Sequence, residues 1–481
     1  MSISHALNSA GQGLAASARA IQVVSGNVAN AMTPGYSARS LQLAAISLGG
    51  QGAGVRVLGV ARQADPILQG LLRTAGAGAA QSETRTGFWQ AVETAFGLPD
   101  SPGSLSGALD ALSTALIAAA ERPDLDSRLA GVTRTAGGLI DKIGQIQDAV
   151  QDQRRLADTA IARDVATLNE GMNRLHGLNT EIVSLEARGQ SSLELQDERD
   201  ALLQSLSEIV PLKAHLRPEG RMMVFTEGGT VLLDLQPVAV GFTAAAEMAP
   251  GSSLAGGQLS GLTVNGVSVA TGPNGPMAGG RLGAAFALRD GDGPAVQAAL
   301  DSLAESLVAR FQDPATDPST TPGLPGLFTD NGAAMAGAPA PGLAGRLALN
   351  PLVDPAAGGA LWRLRDGLGA AAPGPVGDSA QIARWIAAID RPVAPAPGVA
   401  ARGLEQELSD TLSGLGQARY QAEERRIYAV TVHDALRQQQ LEGGVDIDAE
   451  MRRLIQIETA YAANARVIQV ADDMLRRLME I

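Results

Sequence analysis

His5, His176, His215 and His433 are the only imidazoles in the chain, and they lie far apart in sequence. None has a second ligand three or four residues away, the spacing that sets two metal-binding side chains on one helical face. RDGDGPA, Arg289–Ala295, combines acids with glycines but lacks the spaced oxygen ligands and closing Glu of an EF-hand, so a Gly-rich loop is expected there. GAGAA, Gly76–Ala80, sits in a helical context without the G-K-[ST] of a phosphate-binding loop. LQDERD, Leu195–Asp200, concentrates carboxylates near a helix start, where the helix dipole favours them; that reading is preferred to a pair of catalytic acids. The absence of cysteine excludes disulfides, thiol nucleophiles and Cys-ligated metals. No catalytic, cofactor-binding or metal residue is assigned, and no enzymatic activity or cofactor is expected. A secreted cell-wall hydrolase is the contrasting class.

The residues that stand out are structural. Leu7, Leu14, Ile21 and Val28 recur every seven residues, with Ala10, Ser17 and Val24 at the three-residue offset, which predicts an amphipathic helix. NVANAMTPGYSARSL, Asn27–Leu41, then stops it. Asn30 is suited to the left-handed conformation at a helix end, Pro34 cannot continue a helix, and Thr33 before proline is pushed toward extended geometry. Asn27, Asn30, Thr33, Pro34, Gly35 and Tyr36 are therefore read as a turn motif, with an ordinary helix end as the alternative.

A chain of 481 residues accommodates two to four domains. Aromatics make up only 3%, so the core must lean on Leu, Ile, Val and Ala, which suits long helices packed side by side. The formal charge of −13 argues against nucleic acid or a membrane surface as partner. The pairs Arg425–Arg426, Arg452–Arg453 and Arg476–Arg477 read as solvated helix faces. No apolar run reaches transmembrane length, and the first residues lack the charged region of a cleaved signal, so secretion would need a route without one.

Val55–Val60 alternates like a strand, and Asp65–Pro66 opens a helical region to about Gly97. From Pro123 to Pro211 there is no proline. Within this span, Leu129, Val132, Ala136, Leu139, Ile143, Ile146 and Val150 alternate three- and four-residue steps, and Ile161 to Ile182 repeats the rhythm. Leu193–Val210 reads as a helix, residues 222–226, 231–233 and 238–240 as short strands, and Leu282–Phe311 as helical. Residues 312–398 are proline-rich. Two seven-residue series close the chain: Leu408, Leu415, Ala422, Ala429 and Leu436, then Ile447, Leu454, Tyr461, Ile468 and Leu475.

The expected fold is mainly α, with coiled-coil terminal helices, a long-helix bundle core, a short-stranded β region and a small outer insertion. The expected division is residues 1–45 with 445–481 as a terminal coiled-coil domain, 46–311 with 399–444 as a bundle core carrying a β-rich segment at about 212–270, and 312–398 as an outer insertion or small subdomain. Leu7, Leu14, Ile21, Val28, Leu454, Tyr461, Asn464, Ile468 and Leu475 are the expected assembly interface. Asn464, three residues beyond Tyr461, is either a buried register-setting Asn or a rim residue.

SGNVANAMTPGYSARSL resembles the N-terminal signature of the axial proteins of the bacterial flagellum, and GVDIDAEMRRLIQIETAYAANARVIQVADDML, Gly444–Leu475, resembles their C-terminal signature. GVRVLGVARQADPILQGLLR, Gly54–Arg73, LQDERDALLQSLSEIV, Leu195–Val210, and the helical interior are similar to the hook-associated protein 1 family within that group. The resemblance implies a secreted, extracellular structural protein of the hook–filament junction, built into a ring of its own copies. It further implies the hook protein and hook-associated protein 3 as neighbours, and a flagellar export chaperone on the C-terminal region. Hook-associated protein 3, a rod protein or a hook protein are the alternatives within the same group.

Overall fold

The computed structural model describes residues 3–33, 35–48, 51–98, 101–393 and 400–479. Pro34, one of the expected turn residues, lies outside them. The chain forms two compact units: Met1–Gly78 with Leu168–Val238 and Ala429–Ile481, and Ala79–Thr167 with Ala239–Tyr428. The expected division keeps residues 46–311 in one core, whereas the two units place residues 46–78 and 168–238 with the chain ends.

In the first unit, α1 (Ile3–Asn30) leads into a hairpin of β1 (Arg39–Leu48) and β2 (Gln51–Arg62). The strands are antiparallel, with Arg39 opposite Arg62, and the register shifts between Gln42 and Leu43 and between Ile46 and Ser47. α2 (Pro66–Phe96) starts where the sequence predicts. Asp65 Oδ1 accepts from the N–H groups of Ile67 and Leu68 at 2.9 and 3.1 Å, and proline takes the first helical position. The end of α4 (Asp126–Ala187), α5 (Leu193–Ile209) and a meander of β3 (Leu212–Leu216), β4 (Met222–Thr226) and β5 (Val231–Leu233) complete this unit's middle. Asn179 on α4 clips the meander: its amide donates to Met222 O at 2.9 Å and accepts from Met222 N at 3.1 Å.

The second unit is built on α3 (Leu105–Glu121), an element not expected from the sequence, and on the first two-thirds of α4. Ser104 caps α3 by accepting from Gly107 N at 3.0 Å. The three-four series from Leu129 to Val150 is the core, every member at most 3% exposed. A small sheet of β6 (Val240–Gly241), β7 (Leu262–Val264) and β8 (Val267–Val269) turns at Asn265–Gly266, both with positive φ. α6 (Gly280–Ala287) runs through a π turn, Leu288–Asp292, into α7 (Gly293–Gln312). RDGDGPA is therefore helical rather than a loop. Its acids are taken up by arginines: Asp292 by Arg85 at 2.8 Å, and Asp290 by Arg289 at 2.8 Å.

Arg289 is fully buried and also pairs with Asp158 at 2.7 Å. Arg154, beside it, donates to the carbonyls of Arg289, Pro250 and Ser252. Such buried cations are tolerated because their donors are satisfied.

Beyond α7, β9 (Phe328–Asp330) pairs with β10 (Leu347–Leu349), followed by α8 (Arg363–Asp366) and α9 (Ala380–Asp390). Phe311 stacks on Trp385 at 5.6 Å and meets Phe328 edge-on at 5.0 Å, so this proline-rich part packs on α7. α10 (Leu404–Glu442) and α11 (Ile447–Met479) end the chain. Among the described residues, no helix is long and apolar enough to cross a membrane, and no three His, Cys, Asp or Glu side chains are grouped to hold a metal ion.

Candidate assembly interface

α1 and α11 pack along one another and run antiparallel. At one end Asn27 Nδ2 donates to Glu450 Oε1 at 3.0 Å. Midway, Gly13 faces Asn464, whose Nδ2 lies 2.7 Å from where a Cβ on Gly13 would stand. At the far end Ile3, Ala6, Val470, Ala471 and Met474 help line an apolar cleft of about 500 Å³. Glu450 and Asn464 define the face of α11 turned to α1. By helical spacing Leu454, Tyr461, Ile468 and Ala471 lie on the same face. Leu454, Asn464 and Ile468 are half-buried, Ala471 is buried, and Tyr461 and Leu475 are exposed. On α1, Leu7, Leu14, Ile21 and Val28 are half-buried, while Ala10, Ala16, Val24 and Asn27 are buried. Among the expected interface residues, Asn464 is placed against α1 by its approach to Gly13.

Asn27 is the junction of this unit. It is fully buried, and all four hydrogen-bonding positions of its amide are used. Nδ2 donates to Glu450 and to Arg39 O at 2.9 Å; Oδ1 accepts from Tyr36 Oη at 2.8 Å and Arg39 N at 2.9 Å. One side chain therefore holds α1, the turn, β1 and α11 together. Burial raises the Tyr36 hydroxyl above the usual tyrosine range, with nearby carboxylates adding to the effect and Arg39 opposing it. The Arg39 guanidinium lies 5.0 Å from the centre of the Tyr36 ring.

The turn itself differs in one respect from expectation. Asn30 does not adopt a left-handed conformation; it stays helical, and its Nδ2 donates back to Gly26 O at 2.9 Å. Thr33 N donates to Asn30 O at 2.9 Å and Tyr36 N to Thr33 O at 3.2 Å. Gly35 is the left-handed residue, with φ +80°, and a Cβ there would come within 3.3 Å of the Ala201 methyl on α5. Both its conformation and its close approach call for glycine.

LQDERD also does something other than expected. The dipole's influence fades after the first turn, which contains only Glu194. Asp197 and Asp200 instead grip the hairpin: Arg62 lies 2.9 Å from Asp197 and 2.7 Å from Asp200, and Arg39 lies 3.6 Å from Asp197. The Arg62–Asp197 contact is off the N–H axis, an ion pair rather than an aligned hydrogen bond. Two arginines opposite each other across strands repel, and these carboxylates neutralise them. Arg39, Arg62, Glu450 and Gly13 were not singled out from sequence. The available signal was the arginine at each end of the hairpin and an acidic helix start to receive them.

Residues 89–320 match the flagellar hook-associated protein FlgK helical domain. Residues 437–481 match the flagellar basal body rod FlgEFG protein C-terminal region. Flagellar hook-associated protein 1 of Salmonella typhimurium is 30% identical over 241 residues, 48% of this chain and 43% of that protein. The chain's match thus spans less than half the length of that relative. Flagellar hook-associated protein 1 of Bacillus subtilis is 23% identical over 98% of this chain and 97% of its own length. The flagellar hook junction protein FlgK from Burkholderia pseudomallei superimposes with a TM-score of 0.46 and 19% identity, over 54% of this chain and 46% of that one. With a helical-domain match in its middle and an axial-protein match at its C-terminal end, the chain is similar to the FlgK family of flagellar hook-associated proteins.

Proposed function

We propose that this flagellar structural protein sits at the hook–filament junction, outside the cell, and assembles there through the outer sides of α1 and α11. The observation that carries the reading is an apolar surface left open on α11. Ile455, Val467, Val470 and Met474 are 60%, 45%, 49% and 53% exposed. Apolar side chains concentrated on one outward helix surface mark a protein contact. Leu7, Leu14, Ile21, Val28, Leu454, Tyr461, Asn464, Ile468 and Leu475 are the further residues proposed to act in assembly, through the paired helices that present that surface.

The neighbours proposed are further copies of the chain in a ring, the hook protein on one side and hook-associated protein 3 on the other. An export chaperone binds the C-terminal region before secretion. Residues 1–45 with 445–481 form the inner part of the assembled structure, and the turn at Asn27–Tyr36 directs the chain outward from it. The test is Ile455→Asp with Val470→Asp, expressed in a strain lacking its own copy. The purified variant keeps its melting temperature, while swimming is lost and filament subunits escape into the medium. Normal filaments on that strain would remove α11 as the assembly surface.

A further inference from the structure

The apolar stripes of α1 and α11 repeat every seven residues, so sliding one helix by a heptad sets apolar side chains against apolar side chains again. Burial alone does not choose among these settings. Two contacts do distinguish them. Asn27 meets Glu450, and Gly13 meets Asn464; Asn27 and Gly13 are two heptads apart, as are Glu450 and Asn464. We propose that these two contacts are register keys, which hold α11 at a single setting along α1 and so fix how far the C-terminal helix projects.

Each key works by a different penalty. The first is polar. Asn27 is fully buried, and a one-heptad slip brings Ile457 to the place of Glu450, leaving an Nδ2 hydrogen without an acceptor. The second is steric. Asn464 fits because residue 13 has no Cβ, and the positions one heptad to either side of Gly13 are Ala6 and Ala20. A slip of seven residues moves α11 by about 10 Å along its axis. This slip runs toward Gly443–Gly444, and unwinding the first two turns of α11 into a loop takes up the seven displaced residues. The inference concerns the single chain and is independent of what the assembled protein joins.

Because the chain has no cysteine, introduced cysteine pairs report register without interference. Ala6 and Ala471 line the same cleft and report the native setting; Ala10 with Met474 reports the setting one heptad away. Each pair is introduced as Ala6→Cys with Ala471→Cys, or Ala10→Cys with Met474→Cys. Disulfide formation is then measured with the keys intact and with Glu450→Leu and Asn464→Ala together. With the keys intact, only the native pair closes. Without them, closure of the slipped pair rises about tenfold and closure of the native pair falls, with helix content by circular dichroism reduced by no more than the two unwound turns. Glu450→Gln, which keeps an acceptor for Asn27, retains the native pattern. Native-only closure without the keys overturns the proposal. So does loss of closure in both pairs, which would make these contacts necessary for pairing and irrelevant to register.

Discussion

The stripe on α4 from Leu129 to Val150 and the stripe on α11 from Leu454 to Leu475 share one three-four rhythm, yet they meet different fates. The first is sealed, every member at most 3% exposed. The second is half-buried at best, with Ala471 its one buried apolar residue. Periodicity tells which side of a helix is apolar; the number of surrounding elements decides how much of that side is covered. α4 lies among several helices of its unit. α11 has α1 for its main packing partner, and Ile455, Val467, Val470 and Met474 stay largely exposed. The polar groups follow the same division. Arg154 and Arg289 sit within a sealed bundle where each guanidinium nitrogen has a carbonyl or carboxylate partner. Asn27 does comparable work at a two-helix contact, through one neutral amide.

The largest expected effect breaks the sealed side. Arg289→Met leaves Asp158 without its buried partner, and denaturant unfolding should show a loss of about 3–5 kcal/mol. A loss below about 1 kcal/mol would mean the network contributes little.

A graded series then tests burial directly. Ile143→Ala should cost about 2–5 kcal/mol. Ile455→Ala should stay within about 0.5 kcal/mol, with Ile468→Ala between them. Equal losses at all three sites, measured by the same unfolding transition, would abolish the distinction between the two stripes.

Asn27→Ala should cost about 1–3 kcal/mol for each buried group left unpaired, Arg39 N–H foremost. Its signature is local: amide exchange should quicken from residue 31 to 39 and at the start of α11, and remain slow in α4. Uniform quickening would contradict a junction confined to the first unit.

The smallest effect is alkaline. Burial raises the Tyr36 hydroxyl above its unfolded value, so the folded state holds this proton longer than the unfolded chain does. The resulting stability is fully present below the unfolded value of 10.0 and is lost as pH rises through the folded one. Ultraviolet titration should show one late-ionising tyrosine that disappears in Tyr36→Phe.

Much of the fold was legible in the sequence because its signals are local. Seven-residue spacing gives a helix whatever lies beside it, and Asp65–Pro66 caps α2 with atoms two and three residues away. The terminal signatures, too, are contiguous strings. What tertiary structure alone decided are matters of opposition between distant segments. Asn30 had the residue type for a left-handed helix end, but its amide found Gly26 O within the same helix, and Gly35 took the reversal instead. Asp197 and Asp200 had the look of dipole partners until Arg39 and Arg62 arrived from a hairpin more than a hundred residues earlier. RDGDGPA stayed helical because its carboxylates were taken by Arg85 and Arg289. Asn464 was open between core and rim until Gly13 supplied the space it fills. Composition and period set which surfaces are apolar and where helices begin. Which charge meets which, and which half of a stripe remains uncovered, depends on distances that exist only once the chain has closed on itself.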